Sequence, residues 1–202
     1  MSPKQKHILE IAEKLFSEHG FDGTSVRAIA SAAEVNVSMI SYYFGSKEKL
    51  LEEIIKHRIS DSREQMEVVI NSDRSFEEKL ETMVSLYIRR IHNNHRVYRI
   101  VNIEYSNGSR TIDFDNIAKD KMQNYQVLER FILDGQEAGV FKKEVEIPLI
   151  IPTILGLYFH FDDNKPFYLS LLGLKNQKML DDYVLSTLTN HLQQTIKGLL
   201  LV

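Results

Sequence analysis

The sequence contains no cysteine and no tryptophan, and only four of its 202 residues are proline. Without cysteine the chain has no disulfide framework, no thiolate metal ligand and no cysteine nucleophile. An excess of positive charge is also missing, because 25 lysines and arginines stand against 28 aspartates and glutamates, for a net charge of −3. Any surface for a nucleic acid would therefore have to be local and built by the placement of single side chains.

Long apolar runs are scarce as well. The longest, IPLIIPTILGLYFHF over residues 147–161, is interrupted by two prolines and is short for a membrane span. The first residues, MSPKQKHILEIAEK, are charged and lack the apolar centre of a signal peptide. With 43% hydrophobic and 26% charged residues, the composition is that of a globular protein. We expect a soluble, cytoplasmic protein with no membrane contact.

Apolar residues recur at helical spacing along the chain. In the first helix Ile8, Ile11, Ala12, Leu15 and Phe16 follow the i, i+3, i+4, i+7, i+8 pattern. Gly20 is expected to end that helix, and Thr24 or Ser25 to cap the next one. Further helices are predicted near residues 36–44, from 46 onward, and over 75–94, 117–137, 148–161 and 178–200, with breaks at 93–94, 107–109 and 162–166. The predicted fold class is all-α.

Two of the predicted helices are short and are separated by a turn at Glu34, Val35 and Asn36, which is the layout of a helix-turn-helix. In such a motif the second helix lies in the DNA major groove. Ile40 and Phe44, four residues apart, would face the core and leave Ser41, Tyr42 and Tyr43 toward DNA. Lys47 begins the following helix, whose N-terminus favours a phosphate.

The run TSVRAIASAAEVNVSMISYYFGSKEKL, residues 24–50, resembles the N-terminal signature of the TetR family of transcriptional regulators. The resemblance covers about residues 8–55 and implies an all-α homodimer. It implies a helix-turn-helix DNA-binding domain over residues 1–58 and an effector-binding and dimerisation domain over residues 59–202. The resulting set of DNA-binding residues is Thr24, Arg27, Asn36, Val37, Ser38, Met39, Ser41, Tyr42, Tyr43 and Lys47.

Within that set, matching positions imply phosphate contacts from the helix before the turn, by Thr24 and Arg27. The same match implies that three residues face the bases, namely Val37, Ser38 and Met39. It also implies that three hold the DNA backbone, namely Tyr42, Tyr43 and Lys47. The chain departs from the family at the turn, where Glu34 replaces the usual glycine. Val37 and Ser41 replace a lysine and a tyrosine, so the reading face carries less charge.

Residues from 59 onward resemble the family loosely, through ILDGQEAGVF and the helix after it. The resemblance implies that the last two long helices form a four-helix bundle with a second subunit. Two stripes would form the seam of that bundle: Leu185, Leu188, Leu192 and Ile196 against Ile151, Ile154, Leu155 and Tyr158. The alternative is that these stripes are buried within one subunit.

A small-molecule effector would need an apolar pocket with a few polar groups. Tyr87, Tyr98, Tyr125 and Phe159 are the predicted effector-binding residues, although any one aromatic residue is more often part of a core. A basic cluster follows Tyr87 and comprises Arg89, Arg90, Arg96 and Arg99. These arginines could bind an anionic ligand or could form a solvated face paired with Glu104 or Asp113.

Enzyme and metal sites find little support in the sequence. His92 and His95 are three residues apart, and His160 is close to Asp162 and Asp163, but no further ligand stands at a matching spacing. A structural or surface role is expected for these histidines, and no metal or cofactor is predicted. The sequence has no phosphate-binding glycine loop, no G-x-S-x-G and no H-E-x-x-H, so no enzyme is predicted.

The function predicted from these observations is a DNA-binding transcriptional regulator, a ligand-responsive repressor that binds a palindromic operator as a homodimer. The alternative is a helical dimeric interaction protein or small-molecule-binding protein whose helix-turn-helix no longer reads DNA. Glu34 supports this alternative, as does the balance of eight basic and eight acidic residues over residues 1–58.

Overall fold

The computed structural model describes residues 1–106 and 114–202, and the side chains of all of these except residues 96, 102–106 and 114. The described residues form eleven α-helices and no strand, which confirms the all-α prediction. The helices are α1 Pro3–His19, α2 Val26–Ala32, α3 Val37–Phe44, α4 Lys47–Ile70, α5 Phe76–Asn93, α6 His95–Ser106, α7 Phe114–Glu137, α8 Ile150–Asp163, α9 Lys165–Leu171, α10 Gln177–Tyr183 and α11 Thr189–Leu200. The predicted break at 107–109 lies outside the described residues.

The described residues form two compact units. Unit 1 comprises Met1–Arg63 and Asn94–Asn124, and unit 2 comprises Glu64–Asn93 and Tyr125–Val202. Helices α4 and α7 each contribute residues to both units. The chain therefore passes from unit 1 to unit 2, returns to unit 1 and ends in unit 2. The predicted division into two domains at residue 58 is a single boundary, and it stays a prediction.

The core of unit 1 is built on α1. A capping box starts this helix, since the Ser2 and Gln5 side chains each bond to the other's backbone N–H, and Gly20 ends it with φ 76°. Ile8 and Phe16 are fully buried on its inner face together with Ile29 from α2. The short helices α2 and α3 are thus held by apolar packing on α1 rather than by their own length.

An ion pair joins α1 to α4 within unit 1. Arg58 Nε donates to Glu13 Oε1 at 3.0 Å and Arg58 Nη2 donates to Glu13 Oε2 at 2.6 Å, a bidentate arrangement. Burial alone would lower the pKa of Arg58, but the hydrogen bonds and the charge of Glu13 raise it. The pair thus stays charged and fixes the path of α4 beside α1.

In unit 2, α11 packs on α5. Lys197 forms ion pairs with Glu77 and Glu81, and Gln193 Nε2 donates to the Glu81 carbonyl oxygen at 2.9 Å and to Ser85 Oγ at 2.8 Å. Polar groups of α11 are therefore bonded along one side of α5, which fixes the register of the two helices.

This packing bears on the predicted dimer seam. Five of its residues are 0–6% exposed in the single chain, namely Ile154, Tyr158, Leu188, Leu192 and Ile196. Their helical spacing is that of a buried stripe, and these five residues are buried within the chain itself, where α5 packs against α11. Ile151, Leu155 and Leu185 are half-buried, so the seam with a second subunit and its alternative, burial within one subunit, both stay predictions.

Two further elements differ from the prediction. The predicted loop 162–166 is a one-residue turn at Asn164, since α8 continues to Asp163 and α9 begins at Lys165. The predicted helix 178–200 contains a π-helical segment, Val184–Leu188, between α10 and α11. The buried Thr189 hydroxyl donates to the Val184 carbonyl oxygen at 2.8 Å, five residues earlier, and satisfies an acceptor in the widened turn.

Three phenylalanine rings, Phe76, Phe131 and Phe141, form a cluster in unit 2 with ring centroids 5.6–5.7 Å apart. Gly135 supports this cluster, because its carbonyl oxygen accepts from the backbone N–H groups of Val140 and Phe141. A Cβ on Gly135 would lie 2.2 Å from a carbon of the Phe141 ring. The absence of a side chain here allows the ring to pack directly on α7.

We predict that Gly135→Ala lowers the free energy of unfolding by about 1–3 kcal/mol, because the added methyl group must displace the buried Phe141 ring. The neighbouring exposed Asp134→Ala is the control and should change it by less than about 0.5 kcal/mol. Urea unfolding followed by far-ultraviolet circular dichroism measures both. Equal stability of the two variants would contradict the packing described for the cluster.

Candidate nucleic-acid interface

The reading helix α3 is positioned by its buried face. Ile40 is 1% exposed and Phe44 is 8% exposed, and both belong to the core of unit 1. Helix α2, which precedes it, is capped by Ser25, whose Oγ accepts from the Ala28 N–H at 3.1 Å. Because Ile40 and Phe44 are four residues apart on one face, the opposite face of α3 is turned to solvent.

That solvent face carries the residues predicted to read DNA. Asn36, Val37, Ser38, Ser41 and Tyr42 are exposed, and Met39 and Tyr43 are half-buried. Tyr42 is 83% exposed, and its ring rests edge-on against Tyr43 with the centroids 5.2 Å apart. An aromatic ring so open to water has the area and the hydroxyl group to contact a sugar-phosphate backbone.

Asn36 occupies the N-cap position of α3 but makes no side-chain cap hydrogen bond. Within the described residues its amide has no hydrogen-bond partner, so both its acceptor and its donor are open. An asparagine amide has the donor–acceptor pair that matches the edge of an adenine in the major groove.

Lys47 lies at the N-terminus of α4, which Ser46 caps by accepting from the Lys49 N–H at 3.2 Å. Its Nζ donates to the Phe21 carbonyl oxygen at 2.9 Å and lies 4.2 Å from the centre of the Phe21 ring. An ammonium group has three protons, so this bond positions the charge and leaves donors for a phosphate. Arg27 is exposed on α2 and has no ion pair among the described residues.

Thr24 is only 2% exposed. Its hydroxyl donates toward the carbonyl oxygens of Gly20, at 2.8 Å, and Leu15, at 3.2 Å, so it ties the start of α2 to the end of α1. The structure therefore shows a structural role that sequence reasoning missed. The predicted phosphate contact of Thr24 stays a prediction, and its hydroxyl is already engaged.

Glu34 occupies the turn with φ 53° and is the only residue other than glycine with a positive φ in the described parts of the chain. Its N–H donates to the Ser31 carbonyl oxygen at 3.2 Å, and the Val35 N–H donates to that of Ala30 at 3.0 Å. The turn thus keeps the conformation that suits glycine, and Glu34 adopts it despite the steric strain that its Cβ introduces.

Comparison with known families agrees with this geometry. The family profile "Bacterial regulatory proteins, tetR family" matches residues 8–54, and the profile "Tetracyclin repressor-like, C-terminal domain" matches residues 77–196. The chain belongs to the tetR family of bacterial regulatory proteins. Membership confirms the resemblance and the prediction of a ligand-responsive, DNA-binding transcriptional repressor.

Individual relatives are similar over most of the chain. The HTH-type transcriptional regulator YttP of Bacillus subtilis is 35% identical over 134 residues, which are 65% of this chain and 61% of that protein. The repressor NicS of Pseudomonas putida is 28% identical over 83% of this chain and 80% of its own. The structure of the fatty acid degradation regulator FadR from Bacillus halodurans superposes with a TM-score of 0.77 at 21% identity, over 98% of this chain and 96% of that one.

The four predicted effector-binding residues of this TetR-family chain do not all lie in one unit. Tyr87, Tyr125 and Phe159 are half-buried in unit 2, and Tyr98 is half-buried in unit 1. The Tyr125 hydroxyl donates to Glu129 Oε1 at 2.9 Å, and desolvation together with this bond raises the pKa of Tyr125. The hydroxyl is therefore protonated at neutral pH, as a donor must be.

A partly buried network of hydrogen-bonded side chains in unit 2 was missed by sequence reasoning. His92 lies 3.1 Å from the Tyr158 hydroxyl through Nδ1 and 3.0 Å from Asp181 Oδ1 through Nε2. A carboxylate only accepts, so Nε2 donates to Asp181, and in the tautomer with its proton on Nε2 the Nδ1 atom accepts from the Tyr158 hydroxyl. Gln177 donates to the same Asp181 oxygen at 2.6 Å. These hydrogen bonds join α5, α8 and α10.

The remaining candidate groups are scattered. Arg89 and Arg99 are exposed and Arg90 is half-buried, while the side chains of Arg96 and Glu104 and the whole of Asp113 lie outside the described part of the chain. Among the side chains that the structure describes, no three histidines and carboxylates converge on a point where a metal could bind. No helix in the described ranges combines the length and apolarity that a membrane crossing requires.

We predict that Glu34→Gly raises the free energy of unfolding by about 0.5–1 kcal/mol, since glycine adopts a positive φ without the Cβ clash, although it loses more entropy on folding. Glu34→Gln keeps the Cβ and should leave stability within about 0.5 kcal/mol of the wild-type value. Thermal unfolding measures both. If the Glu34→Gly variant is less stable than the Glu34→Gln variant, the turn does not hold this conformation.

Proposed function

We propose that two copies of the chain bind a palindromic operator, each placing α3 in the major groove, and that a small molecule bound by residues 59–202 releases them. The proposed function includes no enzymatic step. A protein with this function acts in the cytoplasm, where it meets its DNA. The observation that carries the proposal is the exposed polar and aromatic face of α3 opposite its buried anchors. Residues 1–58 are the proposed DNA-binding domain.

Base contacts are assigned to the first turn of α3, which enters the groove first. Asn36 offers an amide with no partner among the described residues, and Ser38 offers an exposed hydroxyl. Val37 and Met39 supply apolar atoms that suit the methyl group of a thymine. This set contains no charge, so it distinguishes base pairs by shape and hydrogen bonding.

Phosphate contacts are assigned to the residues that flank this turn. Arg27 is exposed on α2, and Lys47 sits at the N-terminus of α4, where the backbone N–H groups also favour an anion. Ser41, Tyr42 and Tyr43 add hydroxyl groups from the solvent side of α3. Such contacts fix the register of the protein on the duplex.

The proposed switch uses helix α4. Lys47 begins this helix in unit 1, and its residues after Arg63 belong to unit 2. A ligand that binds one conformation of the C-terminal domain more tightly would shift α4 and thereby the spacing of the two reading helices. The proposed effector-binding residues are Tyr87, Tyr125 and Phe159 in unit 2, and, separately, Tyr98 in unit 1. A subunit partner is proposed to contact the C-terminal helices.

One observation favours a second candidate function. Helix α3 has no charged side chain, and Glu34 next to it is negative and unpaired among the described residues. A small-molecule-binding or interaction protein that keeps the helix-turn-helix only as a scaffold would show these features. Such a protein would bind all DNA weakly.

The first experiment measures binding of the purified protein to the DNA upstream of its own gene across a salt series, with scrambled DNA of equal length as control. The proposal expects one footprint with two-fold symmetry and two protein chains for each duplex. If that fragment shows no site, genomic fragments are selected by their binding to the protein. Failure of this selection, with all fragments bound as weakly as scrambled DNA, would favour the second function.

We predict that Lys47→Ala weakens binding by a similar factor for all sequences and lowers the salt slope by about one unit, since one phosphate contact is lost. Lys143→Ala removes an equal charge from an exposed position in unit 2 and should leave the slope unchanged. Fluorescence anisotropy at several salt concentrations gives both slopes. Equal salt slopes for the two variants would show that Lys47 makes no phosphate contact.

We predict that Asn36→Ala weakens binding to the operator by about 1–3 kcal/mol and leaves binding to scrambled DNA nearly unchanged, because a base contact is lost rather than a phosphate contact. The same anisotropy measurement on the two duplexes gives the ratio of the affinity for the operator to the affinity for scrambled DNA. An equal loss on both duplexes would assign Asn36 to the DNA backbone.

A further inference from the structure

Charge is almost absent from the reading head, which we define as residues 24–47. Between Arg27 and Lys47 the only charged residue is Glu34. Beyond Lys47, Lys49 pairs with the buried Glu52 at 3.1 Å, so its charge is compensated locally. The local cations are therefore Arg27 and Lys47, and the one charge between them is negative.

The backbone of Glu34 is held in a defined conformation. Backbone hydrogen bonds from Glu34 and Val35 close the turn, and φ of Glu34 is 53°. The side chain is exposed, and within the described residues it makes neither an ion pair nor a hydrogen bond. Its charge is thus not neutralised by the protein and stands two residues before Asn36, where α3 enters the proposed groove.

We propose that Glu34 is a charge brake, a residue that lowers the affinity of the reading head for DNA of any sequence. The inference rests on the proposed function. Affinity for DNA of any sequence comes from phosphates, and a carboxylate near them opposes it. The proposed base contacts of α3 are uncharged, so the brake weakens the background of phosphate attraction and leaves discrimination to those contacts. Removing the brake should strengthen binding to every duplex by the same factor.

A purely structural role for Glu34 makes a different expectation. A carboxylate just before the N-terminus of α3 would stabilise the helix through its dipole, all the more because Asn36 makes no side-chain cap. In that case neutralising Glu34 would lower the stability of the fold and would weaken DNA binding. The brake predicts the opposite sign for DNA binding.

The test compares Glu34→Gln and Glu34→Lys with the wild-type chain. Both variants keep a Cβ at the positive φ, so the charge is the main change. Glu137→Gln is the matched control, since it removes an exposed carboxylate from unit 2. Each protein is titrated, between about 50 and about 300 mM salt, with a scrambled duplex and with the duplex selected by the wild-type protein. Circular dichroism reports the stability of every variant.

For Glu34→Gln we expect an affinity about two- to fivefold higher on both duplexes at low salt. This factor is the repulsion that one carboxylate exerts on phosphates lying within about one Debye length of it. Glu34→Lys should give about the square of that factor, and both gains should shrink toward one at high salt. Weaker binding, no gain beyond that of Glu137→Gln, or a gain on the selected duplex alone would overturn the proposal. The last result would make Glu34 a base-reading residue.

The experiment separates this proposal from the proposed function. If the wild-type protein selects no duplex, the proposed function fails, and the scrambled duplex still measures the effect of the Glu34 charge. If a site is selected and the variants bind like the wild-type chain, the function stands and the brake is wrong.

Discussion

The burial of Ile40 and Phe44 in the core of unit 1 determines the rest of the candidate site. A helix of eight residues is marginal in isolation, so α3 exists because its apolar face packs on α1 and α2. The same packing fixes its rotation about its own axis. Once two positions four residues apart are buried, Ser38 and Tyr42 on the opposite side of the helix face solvent, and Asn36 is exposed at the N-terminal end of the helix. Core packing and the reading surface are thus two sides of one constraint, and a loss of core packing would also disorient the reading surface.

Two cations of unit 1 are paired with carboxylates of the same unit. Arg58 is held by Glu13 in a bidentate pair, and Lys49 is held by Glu52. These ion pairs join or stiffen helices, and within the reading head the only cations are Arg27 and Lys47. A reading head with two cations and one unpaired carboxylate depends on hydrogen bonds and apolar contacts to bases. The near-zero charge of residues 1–58, which by itself argues against DNA binding, is therefore compatible with a selective reader.

The sequence predicted the features that depend on neighbours along the chain. Helix spacing, the stop at Gly20 and the cap at Ser25 follow from local rules, and so does the exposed face of α3. Features that depend on distant residues escaped. Thr24 looked like a cap or a phosphate ligand, but its hydroxyl reaches Leu15, and His92 meets Asp181 across 89 residues. The apolar stripes on α8 and along residues 185–196 show the limit most clearly, because helical spacing indicates that a stripe is buried but not whether the same chain or a second subunit covers it.

In the proposed switch, the continuity of α4 would carry a ligand signal to α3 without a separate relay. Residues Lys47–Arg63 of α4 lie in unit 1 and the remainder lie in unit 2, with no break in the hydrogen-bonded backbone between them. Its first turn carries Lys47, whose ammonium is bonded to the Phe21 carbonyl oxygen beside the core that holds α3. A displacement of α4 would act on that bond, on the Glu13–Arg58 pair and on the proposed phosphate contact together. A ligand therefore needs only a different affinity for two positions of one helix to change DNA binding.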